Sequence, residues 1–180
     1  LFVIGEEDIT MGMRIIGTHI DSPRLDLKPF PLYEDGGLAL LKTHYYGGIK
    51  KYQWTSLPLS LHGVVIKKDG DKVMINIGED EKDPVFFITD LLPHLAKDQI
   101  EKKLGEAITG EGLNIVIGNI PLGEKEIKEK VKNNILRILK DKYGIDEDDF
   151  ITAEIEAVPS GKARDVGLDR SMISAYGHDD

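Results

Sequence analysis

The sequence predicts a strand-rich α+β unit in the middle of the chain, between two flanks that read as parts of something else. Three observations predict it: paired alternating segments around an Asp-Gly turn, one long amphipathic helix, and a last alternating segment closed by proline and glycine. The 180 residues fit one ordinary domain or one and a half, and a hydrophobic fraction of 41% can bury a sizeable core. The chain opens on Leu rather than Met and stops at Asp179-Asp180, so it is expected to be a piece of something longer.

Taken in order, Met13-Arg14-Ile15-Ile16-Gly17-Thr18-His19 reads as a short buried strand that ends where polar chemistry begins. Pro23, Pro29 and Pro31 then punctuate an extended segment, because proline donates no bond to a central ladder. Short strands are expected from Leu38 onward. Leu57, Leu59 and Leu61 alternate as a half-buried strand should, and Val73, Ile75 and Ile77 alternate on the return. Between them Lys67-Lys68-Asp69-Gly70-Asp71 is a turn, so the pair is a hairpin.

A short helical region is expected around Leu91, Leu92, Leu95 and Ile100, and a strand over residues 113–117. The clearest helix runs over residues 124–143. Ile127, Val131, Ile135, Ile138 and Leu139 make its apolar stripe. Glu124 and Glu126 sit in its first turn, Lys140 and Lys142 in its last, and Gly144 stops it. The acidic run 146–149 reads as a solvated loop, since it lacks the alternating ligands and central glycine of a calcium loop. Ile151, Ala153, Ile155 and Ala157 form a final alternating strand, broken at Pro159-Ser160-Gly161.

Composition excludes several classes of function. With 23 basic and 32 acidic residues the net charge is −9, which argues against binding nucleic acid. No cysteine is present, so a disulfide scaffold, a thiolate-zinc knuckle and a cysteine nucleophile are excluded, and any metal must be held by nitrogen and oxygen. No apolar run approaches the ~18–20 residues of a membrane span, and the opening residues turn acidic too soon for a signal peptide. The expectation is a cytoplasmic protein with no membrane partner.

Two places carry residues suited to chemistry. In Thr18-His19-Ile20-Asp21-Ser22-Pro23, His19 and Asp21 are two apart and share one side of a strand. Asp21 is then able to accept one imidazole N–H while the other nitrogen binds a metal. A hydrogen-bonded structural histidine fits the same spacing. The second place is Gly161 to Asp180, with Arg164, Asp165, Asp169, Arg170, His178, Asp179 and Asp180. Acids there fit a solvated or capping role. They equally fit a carboxylate bridging two zinc ions at ~2.0–2.2 Å. Spacing does not choose between these readings.

His19-Ile20-Asp21-Ser22-Pro23, followed by Arg24-Leu25-Asp26-Leu27-Lys28-Pro29, closely resembles the aspartyl aminopeptidase and vacuolar aminopeptidase I family of dinuclear zinc exopeptidases. The resemblance continues through Thr43-His44-Tyr45-Tyr46-Gly47-Gly48, Pro58-Leu59-Ser60-Leu61-His62-Gly63, Asp83-Pro84-Val85-Phe86, Asp90-Leu91-Leu92-Pro93-His94-Leu95 and Arg164 to Ser171. It implies α/β peptidase-domain pieces at residues 1–31 and 159–180, flanking an inserted, strand-rich α+β dimerisation domain at 32–158. It implies that His19 is a zinc ligand, Asp21 its orienting partner and Asp179 the bridging carboxylate, with Asp180 beside it. Asp169 is then a structural acid, paired with Arg164 or Arg170. His94 lies near a segment that in the family sends a histidine into the neighbouring subunit's active site. His44 and His62 read as structural or surface residues, and His178 is given no role.

The activity implied is removal of one residue from the free amino terminus of a peptide by a two-zinc activated water, with Co2+ or Mn2+ able to substitute. A Glu-Glu pair, a further carboxylate and a late histidine complete the family's site and have no counterpart here, so these residues alone are expected to be inactive. The resemblance also implies a homo-oligomer, a dimer building to a dodecamer. Two competing readings remain: a non-catalytic assembly module, and an N-acyl amino acid hydrolase on the same scaffold.

Overall fold

A six-stranded antiparallel sheet organises the chain in a computed structural model that describes residues 3–17, 22–123 and 127–176. Its strands are β1 (Arg24–Asp35), β2 (Leu38–Tyr46), β3 (Leu59–Ile66), β4 (Lys72–Ile77), β5 (Ile115–Gly118) and β6 (Glu154–Pro159). Their order across the sheet is β4-β3-β6-β1-β2-β5. A separate two-stranded ribbon, β7 (Arg164–Val166) and β8 (Met172–Ser174), follows the sheet. The helices are α1 (Lys97–Ile100), α2 (Leu104–Ala107) and α3 (Lys130–Tyr143).

The expected β3–β4 hairpin is present, paired from Leu61↔Ile77 to Ile66↔Lys72. The Lys67 carbonyl accepts the Gly70 amide in its turn. Leu57 precedes β3 and remains exposed. The extended segment expected around Pro29 and Pro31 is strand β1, which forms a second hairpin with β2. Asp35-Gly36-Gly37-Leu38 turns the chain with both glycines at positive φ (55° and 78°), the requirement of a two-residue hairpin turn. Pro29 and Pro31 are tolerated because the register shifts between Leu27 and Leu32, a bulge where proline need not donate. β1 therefore runs unbroken across residue 31, the expected boundary of the inserted unit.

One face of the sheet buries Leu25, Leu41, Leu59, Leu61, Ile75, Ile155 and Ala157, with Val131 of α3 and with Ile145 and Phe150. Gly63 lets β3 and β6 approach: a Cβ there would lie 2.0 Å from the carbonyl oxygen of Glu154. α3 begins later than its stripe predicts. Residues 124–126 lie outside the described part, and Ile127 precedes the helix. Glu129 takes a left-handed φ of 51°, and the Glu34 carboxylate of β1 accepts the amides of Val131 and Lys132 at 2.8 and 3.0 Å. That carboxylate sits at the positive end of the helix dipole and fixes its start. The end matches expectation: Gly144, at φ 67°, donates to the Lys140 carbonyl.

Three further expectations are corrected. Of the strand expected over Met13–His19, residues 13–17 are exposed and pair with none of the described strands, and Thr18 and His19 lie outside the described residues. Of the short helical region expected around Leu91, Leu92, Leu95 and Ile100, only Ile100 lies in a helix, the short α1; the three leucines precede it without helical structure and are exposed. The acidic run is a capped 3-10 turn, Glu147–Thr152. Asp146 and Asp149 cap each other, Asp149 is buried, and Lys132, Lys68 and Lys140 pair with Glu147, Asp148 and Asp146.

Candidate functional site

β1 opens at Arg24, immediately after Ser22-Pro23. Along a strand alternate residues share a face, so Arg24 and Asp26 point away from the core that holds Leu25 and Leu27. The register sets Tyr46 opposite Arg24, His44 opposite Asp26, and Glu156 of β6 opposite Asp26 on its other side. Arg24 gathers this row. Its Nε donates to Asp26 Oδ1 at 2.8 Å and lies 3.3 Å from Glu156 Oε1, while its guanidinium sits 4.1 Å from the centre of the Tyr46 ring. The bond to Asp26 holds the guanidinium charged above its ordinary range. Planar stacking plus a directed N–H bond is a combination that arginine offers and lysine does not.

The second flank returns to this place. The Tyr176 hydroxyl donates to the Pro23 carbonyl. Burial, reinforced by the Glu156 charge, pushes the phenol up to about 12. The residue two places after Asp21 is thus bonded to the residue three places before Asp179. His19, Asp21 and Asp179 themselves lie outside the described residues, as do His178 and Asp180. Among the described residues no group of three or more His, Asp and Glu side chains is placed to hold a metal ion.

The other histidines fall in different surroundings. His44 is exposed and stacks on Tyr45 at 5.8 Å. His62 is not a plain surface residue: its Nε2 lies 3.0 Å from Glu79 Oε1 and 3.1 Å from Ser60 Oγ. His94 is exposed on a turn beside Leu91, Leu92 and Leu95, and the described residues give its ring no partner. Asp90 shapes that segment by accepting the Leu91 amide and the Gln99 side-chain amide at 2.8 and 3.0 Å. Among the described residues Asp169 has neither of the expected arginine pairs. Its carboxylate accepts the Ser171 amide at 3.3 Å, and Arg170 pairs with Asp165 at 3.5 Å instead.

A cavity of about 230 Å³ lies between α3 and the sheet, lined by Leu41, Leu61, Ile135, Ile138 and Phe150 among others. Its walls are almost wholly apolar, so it belongs to the core rather than to any reacting centre. Arg24, Tyr176 and Glu79 were not singled out from sequence. The alternation of Arg24 and Asp26 with Leu25 and Leu27 was the available signal, but their partners follow only from the register.

Residues 1–180 match the family described as aminopeptidase I zinc metalloprotease (M18). The chain belongs to that family. It is 61% identical over 180 residues to a probable M18 family aminopeptidase 1 of Clostridium acetobutylicum, covering 100% of this chain and 39% of that protein. The solved structure of aminopeptidase I from the same organism matches with a TM-score of 0.83 at 57% identity, covering 94% of this chain and 37% of that one. A structure of the S. cerevisiae mApe1 dodecamer shares the fold at a TM-score of 0.53 and 18% identity, over 86% of this chain and 33% of that chain. The M18 chain thus spans about 39% of the length of its curated relative. Its strand-rich unit corresponds to part of these larger aminopeptidase structures.

Proposed function

We propose that the M18 chain is one part of a metal-dependent aminopeptidase that releases single residues from the free N-terminus of peptides. Membership of a zinc metalloprotease family over residues 1–180 carries this reading. The geometry supports it through the Tyr176–Pro23 bond, which joins the two segments that bear the candidate ligands.

In this reading residues 32–158 are the inserted dimerisation domain, and 1–31 and 159–180 belong to the peptidase domain. His19 and Asp179 would hold zinc, two ions per site in the complete enzyme, with Co2+ or Mn2+ as substitutes. Bound there, zinc supplies a water acidified toward neutrality and polarises the scissile carbonyl. Asp21 accepts one imidazole N–H of His19 and leaves the other nitrogen for the metal. The Tyr176 hydroxyl, bonded to the Pro23 carbonyl, ties the two segments together. The general base is a glutamate from another part of the enzyme, so the 180 residues alone are inactive. The protein works in the cytoplasm as a homo-oligomer, in which His94 reaches a neighbouring subunit's site. The exposed leucines around His94 support a subunit contact, and the dodecamer formed by the yeast protein of the same fold supports a large assembly.

The test uses the full-length protein with added zinc, assayed on aspartyl and leucyl amides and on N-acyl amino acids. Metal-dependent release from the free-amine substrates is expected. Turnover of N-acyl substrates alone would move the reaction to an N-acyl amino acid hydrolase. Absence of both zinc binding and turnover would leave a non-catalytic assembly module.

A further inference from the structure

The cavity between α3 and the sheet is walled by apolar side chains that leave about 230 Å³ unfilled. Leu41, Leu61 and Ile155 line it from the sheet, Ile135 and Ile138 from α3, and Phe150 from the 3-10 turn. A void of this kind is destabilising, because the atoms that face it lose their dispersion partners. Water does not offset the loss, since an apolar wall offers it no hydrogen bonds. Apolar cavities of ~150 Å³ stay dry and admit benzene.

The wall reaches solvent at the C-terminal end of α3, where it includes exposed Lys142 and half-buried Tyr143. Among the described residues Lys142 is the one charged member of the wall. Its ammonium lies 5.7 Å from the centre of the Tyr143 ring. Other lysines nearby are paired: Lys132 with Glu147, Lys140 with Asp146, and Lys68 with Asp148. No carboxylate among the described residues pairs with Lys142. A cation in the last turn complements the helix dipole, which accounts for a charge at this position but not for a void beside it.

We propose that this cavity binds a medium-chain alkyl carboxylate, with the chain in the void and the carboxylate at Lys142. A water-sized group takes ~30 Å³, so 230 Å³ has room for about seven chain carbons, the length of octanoate beyond its carboxyl group. Burial of the chain provides most of the affinity. Lys142, in contact with water, adds a smaller preference for the acid over a neutral head group. Binding at this site does not depend on the aminopeptidase reading, and its test needs no turnover.

The test titrates the full-length protein with hexanoate, octanoate, dodecanoate and 1-octanol, by calorimetry and thermal melting, in wild type, Lys142→Gln and Leu61→Phe. Saturable binding of one octanoate per chain is expected, with a melting temperature that rises with its concentration. Affinity should increase about three- to fourfold per methylene from hexanoate to octanoate and gain little more at dodecanoate. Lys142→Gln should weaken octanoate about two- to fivefold and leave octanol unchanged. Leu61→Phe puts a ring into the void and should abolish binding of both. If that variant does not fold, a crystal structure of the wild type with octanoate locates the chain instead. Absence of saturable octanoate binding overturns the site. Octanol binding as tight as that of octanoate, or unchanged octanoate affinity in Lys142→Gln, overturns the carboxylate assignment. Undiminished octanoate binding in folded Leu61→Phe, or octanoate seated away from Leu61 and Ile138, overturns the cavity as its seat.

Discussion

The Tyr176 hydroxyl donates to the Pro23 carbonyl across 153 residues of sequence. Between them lies the whole six-stranded sheet, so the bond closes a loop of chain at the point where both flanks meet. Pro23 directly precedes Arg24, whose guanidinium is held by Asp26, Glu156 and Tyr46. One corner of the sheet therefore meets both flanks.

That corner predicts an alkaline titration. Tyr176 ionises at about 12, against ~10 for an ordinary tyrosine. Between those values the unfolded chain has lost this proton and the folded one keeps it, so stability falls as pH rises from ~10 to about 12 and is unaffected below. Tyrosinate absorbance should show a late step, and Tyr176→Phe should remove both the step and its part of the slope. A late step that survives in Tyr176→Phe would assign it to another tyrosine.

Glu34 holds the start of α3 through two backbone amides. Glu34→Ala should lower stability by ~0.5–2 kcal/mol, the usual effect of losing an N-terminal cap, and Glu34→Gln by less. Urea unfolding of the two variants measures this. An unchanged midpoint in Glu34→Ala would show that the helix start is set elsewhere.

Gly63 faces the Glu154 carbonyl at a distance no Cβ tolerates. Gly63→Ala must push β3 from β6 and should destabilise by ~3 kcal/mol or more. Gly70→Ala, strained only by its φ of 88° in an open turn, should lose about 1–2 kcal/mol. Thermal melts that rank the two variants the other way refute the close approach.

Asp21→Asn in the full-length protein should weaken zinc affinity or activity ~10–100-fold, the effect of removing a carboxylate behind a metal-bound imidazole. Chelator competition and amide hydrolysis measure it. Equal affinity and rate in variant and wild type would remove Asp21 from the site.

His94→Ala should reduce kcat while leaving the melting temperature unchanged, because the ring is exposed and has no partner among the described residues. Mixing His94→Ala subunits with His19→Ala subunits should restore part of the activity if the histidine acts across a subunit boundary. No recovery after verified subunit exchange counts against that role.

Local chemistry made much of this molecule legible. The Asp69-Gly70 turn and the alternation around it determine β3 and β4, and Gly144 determines the end of α3. Each is a short-range effect: side-chain period, left-handed φ, a missing Cβ. The residues His19-Ile20-Asp21-Ser22-Pro23 likewise carried the family, because a motif needs no fold to be read. Only the tertiary structure decided the rest. The start of α3 waits on a glutamate 97 residues away, and the prolines of β1 are accommodated by a bulge set by its pairing with β2. The corner of Arg24, Tyr46, Glu156 and Tyr176 joins residues that are distant in the chain. No periodicity encodes such contacts, since they arise from strand register and the closure of long loops, and these are settled only when the whole sheet is assembled.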